Sequence, residues 1–150
     1  MKSVDQLNSF LRGEISAVET YKMAIDKLAK SPHLSTLKEN LRSHEDRVAQ
    51  LKSEVTKGGG TPADRSGAWG RFAKLVESAG AAFGEKSAIA ALEEGEDHGR
   101  NDYERELAKA GATDRDLIQK MLTAQLRTHA ALTAIKKSMG GDKSTNQPRA

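Results

Sequence analysis

The stretch GEISAVETY, from Gly13 to Tyr21, is echoed further along the chain by GEDHGRNDY, from Gly95 to Tyr103. Glycine, glutamate and tyrosine recur at one spacing while the residues between them differ. A second tag follows each copy: Leu41-Arg42-Ser43-His44 after the first and Leu126-Arg127-Thr128-His129 after the second. Each half also carries Leu-Ala-Lys ahead of its second tag, at Leu28 to Lys30 and at Leu107 to Lys109. The chain therefore reads as two related helical hairpins, each presenting one Glu and one His. A Glu and a His from each half, facing inward in a pseudo-symmetric bundle, would make a metal site.

Hydrophobic period sets the helices. Val4, Leu7, Leu11, Glu14, Val18, Tyr21, Ile25 and Leu28 alternate three and four apart, which predicts an inward stripe over about 3–30 with Ser3 as N-cap. Ser31-Pro32 breaks it, and Pro32 suits the first turn of the next helix. There the stripe is Leu34, Leu37, Leu41, His44, Val48, Leu51 and Val55, ending at Gly58-Gly59-Gly60-Thr61-Pro62. A shorter amphipathic segment over about 65–82 places Trp69, Phe72, Val76, Ala79 and Phe83 on one face, as a short helix packed across the bundle in a long connection, with Trp69 as a core anchor. The third long helix, about 85–110, turns Ile89, Leu92, Glu96, Gly99, Tyr103 and Leu107 inward and stops at Gly111. Thr113 or Asp114 caps the last, about 114–139, with Ile118, Met121 or Leu122, Gln125, His129, Leu132 and Ile135 inward and Gly140-Gly141 as its stop. One domain over 1–139 follows: a hairpin at 3–57, a connection at 58–84 and a hairpin at 85–139, with 140–150 as a flexible tail.

Composition narrows the function. The 150 residues suffice for one domain with a real core. Aromatics at 4% and three prolines disfavour an all-β fold. There is no Cys, so thiolate sites and disulfides are excluded and any metal must use Glu, Asp or His. The start, MKSVDQLNSF, lacks a signal peptide's pattern, and no apolar run approaches a membrane span; a cytoplasmic location is the expectation. The net charge of +3 is spread among interleaved acids and bases, which argues for a solvated surface and against a nucleic-acid or membrane partner. The triple glycine lacks the Lys-Ser/Thr of a phosphate loop, and nothing supports nucleophilic catalysis. The reading leans away from an enzyme.

Glu14, Glu96, His44 and His129 stand where the stripes ask for apolar residues, and a buried carboxylate is costly unless paired or bound to metal. Their registers agree. The midpoint of 14 and 44 is 29, beside the turn at 30–32; that of 96 and 129 lies between 112 and 113, within the turn at 111–113. Each Glu is thus expected beside its own His. Glu93, one turn before Glu96, offers a further carboxylate, and Gln125, one turn before His129, is placed to orient a ligand. Tyr21 and Tyr103 read first as core packing with satisfied hydroxyls. His33 and His98 lie off the stripes.

The helix order, the long middle connection and the Glu and His pairs resemble the ferritin-like superfamily over roughly residues 3–139. More narrowly, the Gly-Glu tags, Glu93, the aromatic connecting segment and His129 look like small bacterial four-helix-bundle proteins of unknown function. The resemblance implies an all-α, ferritin-like four-helix bundle of two antiparallel hairpins with a short crossing helix. It implies metal ligands on each helix, matched here by Glu14, His44, Glu96 and His129. The superfamily's bridging carboxylates are absent, since Leu41 and Leu126 stand in their places. The remaining donors, with Glu93, suit a single Fe, Mn or Zn ion. Two functions stay open: a metal-binding protein of metal handling or oxidative-stress response, and a non-catalytic, stress-associated interaction or oligomerisation module with a remnant Glu–His site. A metal ion and a second copy of the chain are the partners these readings admit.

Overall fold

The computed structural model describes the backbone of residues 4–67, 71–109 and 112–145, and the side chains of 4–67, 84–109 and 115–139. The described residues form four helices and no strand: α1 Val4–Lys27, α2 Leu34–Lys57, α3 Arg71–Lys109 and α4 Ala112–Thr145. None is long and apolar enough to cross a membrane among the described residues. The Ser3 cap, the Trp69 to Phe83 face and the Gly111 stop lie outside the residues described; Thr113 and Asp114 do not cap α4, since the helix already begins at Ala112 and both stand within its first turn.

Local chemistry explains the ends. After α1 the Ser31 amide donates to the Leu28 carbonyl, and the Ser31 hydroxyl accepts the His33 amide at 2.9 Å. This turn starts α2 two residues after Pro32. Helix α2 closes in a Schellman arrangement: Gly59 takes φ 84°, its amide donates to the Thr56 carbonyl, and the Gly60 amide reaches back to Val55. Gly60 is required there, since a Cβ would sit 2.4 Å from Val4. The loop is pinned to α1 by Asn8, which donates to the Thr61 carbonyl and accepts the Ala63 amide.

Two boundaries differ from the expectation. Residues from Arg71 belong to α3 and not to a separate helix, and Gly84, at φ 65°, is where that run departs from right-handed geometry. Helix α4 continues past Gly140-Gly141 to Thr145. Glycine costs a helix about 1 kcal/mol per residue, but it ends one only when it takes the left-handed cap geometry.

Around the bundle the order is α1, α2, α4, α3, so α1 packs on α2 and α3, and α4 packs on α3 and α2. Helices α1 and α3 run antiparallel, because Tyr21 is level with Glu96 and Glu14 with Tyr103. Apolar residues fill both ends. One cluster joins Tyr21, Leu28, Leu37, Ile89, Leu92 and Leu132; the other joins Leu7, Leu11, Leu51, Tyr103, Ile118 and Met121. Between the two lies a buried polar layer.

The candidate functional site is a buried ion network

That layer contains Glu14, Asn40, His44, Arg47, Glu96, Gln125 and Thr128, none more than 5% exposed. His44 is its hub. Its Nδ1 lies 2.6 Å from Glu14 Oε1 and its Nε2 2.8 Å from Glu96 Oε2. Ionised carboxylates only accept, so both ring nitrogens carry hydrogen and the ring is an imidazolium. Arg47 adds a second cation, its Nη1 donating to Glu14 Oε2 at 3.2 Å. Two carboxylates and two cations cancel.

The tyrosines complete the layer by exchange between halves. Tyr21 on α1 donates to Glu96 on α3 at 2.5 Å, and Tyr103 on α3 donates to Glu14 on α1 at 2.6 Å. Each copy of the Gly-Glu…Tyr tag therefore satisfies the carboxylate of the other, as a two-fold relation between antiparallel helices requires. Glu96 also accepts from Gln125 Nε2 and Thr128 Oγ1, both at 2.8 Å, on Oε1. Asn40 donates to the Tyr21 hydroxyl and the Thr128 carbonyl. Gln125 comes this close only because residue 99 is glycine: a Cβ there would lie 2.6 Å from Gln125 Nε2.

The electrostatics follow. Burial by itself would raise the Glu14 pKa, but Arg47, then His44, outweigh it and hold the pKa at about 2. Glu96 is likewise lowered, burial being opposed chiefly by His44. Burial, then Arg47, push the His44 pKa down, yet the two glutamates prevail and it is raised. Burial, then the facing carboxylates, raise both tyrosines well above their ordinary value, so both hydroxyls remain donors.

Of the five expected ligands, the structure gathers Glu14, His44 and Glu96. His129 lies apart, with Nε2 2.5 Å from Asp97 Oδ1 on the half-buried α3–α4 flank. It does not pair with Glu96, because α4 turns Thr128 inward instead. Glu93 faces outward to Lys136 at 2.7 Å and Thr133 at 3.4 Å. Leu126 is on the surface, 42% exposed. Among the described residues no group of three or more His, Asp or Glu is placed to hold a metal ion. The physical reason is plain at His44: its nitrogens point to opposite carboxylates, so one ion cannot meet both glutamates through the ring.

Arg47 was missed by the sequence reading, which put Leu41 and Val48 on the inward line. The signal was present as Leu37, Asn40, His44, Arg47 and Leu51, spaced three and four apart, but three of these five look like surface residues. A cavity of about 40 Å³ flanks the network between α1 and α3, walled by Gly13, Ala17, Thr20, Gly95, Gly99 and the two tyrosines.

A family model described as a domain of unknown function (DUF2383) matches residues 2–109. No curated protein and no solved structure matches the chain. The matched span holds every charged member of the network, while Gln125 and Thr128 come from α4 beyond it. The chain belongs to the DUF2383 family.

Proposed function

We propose that the chain is a non-catalytic four-helix bundle that works through its surface, as an interaction or oligomerisation module, with the buried Glu–His–Arg network as an internal fastener. The observation that carries this reading is His44 held between Glu14 and Glu96 with both nitrogens engaged. Within the network no general acid or base has a free position, since the carboxylates, imidazole and guanidinium partner one another. In the adjoining cleft the Tyr21 and Tyr103 hydroxyls are engaged with Glu96 and Glu14.

A second reading, a ferritin-like protein holding one Fe, Mn or Zn ion for metal handling or oxidative-stress response, draws on the convergence of Glu14, His44 and Glu96 beside that cavity. The donor chemistry fits it poorly: His44 would have to lose a proton, and the site would gain a charge with Arg47 still present. The two readings separate by experiment. Purified protein is equilibrated with Fe(II), Mn(II), Zn(II) or EDTA, then assayed for bound metal and melting temperature. The fastener reading expects no stoichiometric metal and one melting temperature throughout. Stoichiometric metal with a rise in melting temperature would establish the metal reading instead.

A further inference from the structure

We infer that the Arg47 guanidinium is the resident cation of a cradle shaped to hold one, and that its removal converts the cradle into a divalent-cation site. The inference rests on the fastener reading above. Arg47 is 1% exposed, and its head group is ringed by oxygens of four side chains from three helices, with the Ser43 carbonyl accepting from Nε at 3.4 Å. Nη1 meets Glu14 Oε2 at 3.2 Å and also Gln125 Oε1. Nη2 meets Ser43 Oγ and Thr128 Oγ1, each at 3.1 Å, and lies 3.4 Å from His44 Nε2. That last approach is between two cations and is no hydrogen bond; the two glutamates hold them together.

The charge count decides what the cradle accepts. With Glu14 and Glu96 ionised, His44 protonated and Arg47 in place, the net charge is zero. Adding a dication and removing the His44 proton leaves an excess of one positive charge in a buried site, which is costly. With Arg47 replaced by a neutral side chain, the same dication and a neutral His44 return the count to zero. Carboxylate, amide and hydroxyl oxygens with one imidazole form a donor set suited to Mn(II). The Arg47 charge is then what keeps dications out of this cradle.

The test uses the full chain with MnCl2 as probe, followed by electron paramagnetic resonance, titration calorimetry, circular dichroism and melting. Wild type and Arg47→Lys are expected to bind no stoichiometric Mn(II). Arg47→Met is expected to bind one ion per chain, tighter than wild type by about a hundredfold or more, since a unit charge this close and this buried repels strongly. Adding Glu14→Gln to Arg47→Met should abolish that binding. Arg47→Gln serves as a second variant should Arg47→Met be unfolded, and Mn(II) is then expected to restore its helical signal by mass action. A folded Arg47→Met or Arg47→Gln protein that binds no Mn(II), or unfolded variants that Mn(II) does not refold, would overturn the inference and leave the fastener reading intact. Stoichiometric binding to wild type, with Arg47 present, would overturn both.

Discussion

His44 and His129 occupy matching places in the two tags but have different surroundings. His44 bridges two carboxylates within the core, whereas His129 meets one half-exposed aspartate at the flank. Replacing His44 by Ala leaves Glu14 and Glu96 buried with a donor missing from each, a loss that costs about 3–5 kcal/mol for a broken buried pair. Replacing His129 by Ala removes a pair whose aspartate is 47% exposed, which contributes about 0–1 kcal/mol. Urea unfolding of the two variants checks this contrast, and equal losses would refute the asymmetry. The His44 position was legible in the sequence, because a histidine interrupts an apolar stripe at the level of Glu14. The inward turn of Arg47 was not, because a lone arginine on a helix is ordinarily solvated and only the carboxylate facing it makes burial tolerable.

Between elements, α3 meets α4 closely at Gly99, where a Cβ would lie 2.6 Å from Gln125 Nε2. The Gln125 amide donates there to the Glu96 carbonyl and to its Oε1, both at 2.8 Å, and accepts from Arg47. A longer free side chain could swing aside, but these bonds fix the amide. Gly99→Ala is therefore expected to destabilise the fold by about 1–3 kcal/mol through overpacking. Adding Gln125→Ala should relieve the clash, so the double variant should lose less than the sum of the single losses; strict additivity in denaturant melts would count against the contact. Stripe and turn signals located α1 and α2 well, since Schellman glycines and a Ser-Pro turn act locally. They did not locate the end of α4, where glycines alone gave no stop.

For the whole molecule, the network links stability to pH. Glu14, with its folded pKa at about 2 against an ordinary 4.5, contributes stability that is complete above about pH 4.5 and lost as pH falls toward 2. Glu96 acts in the same sense. His44 is raised above 6.5, so its contribution is complete below pH 6.5 and lost as pH rises through its folded value. Stability is expected to peak between about pH 4.5 and 6.5 and to decline on both sides. Melting temperatures across pH 2–9 check this, and a stability that climbs steadily above pH 6.5 would contradict an imidazolium at the hub.

The sequence by itself determined four helices, two hairpins and the levels of Glu14, His44 and Glu96, because helical period and turn position are local properties. It also showed the paired Gly-Glu…Tyr tags. Only the tertiary structure decided that each tyrosine serves the opposite glutamate, that Arg47 joins them, and that Thr128 rather than His129 faces inward. Neighbouring residues on a helix differ by about 100° in direction, so a small rotation of α4 exchanges the two, and a stripe of mixed polar residues does not distinguish them. The choice follows from charge: one imidazolium already bridges both carboxylates, Arg47 balances the remaining charge, and a second inward imidazole would find both carboxylates already paired.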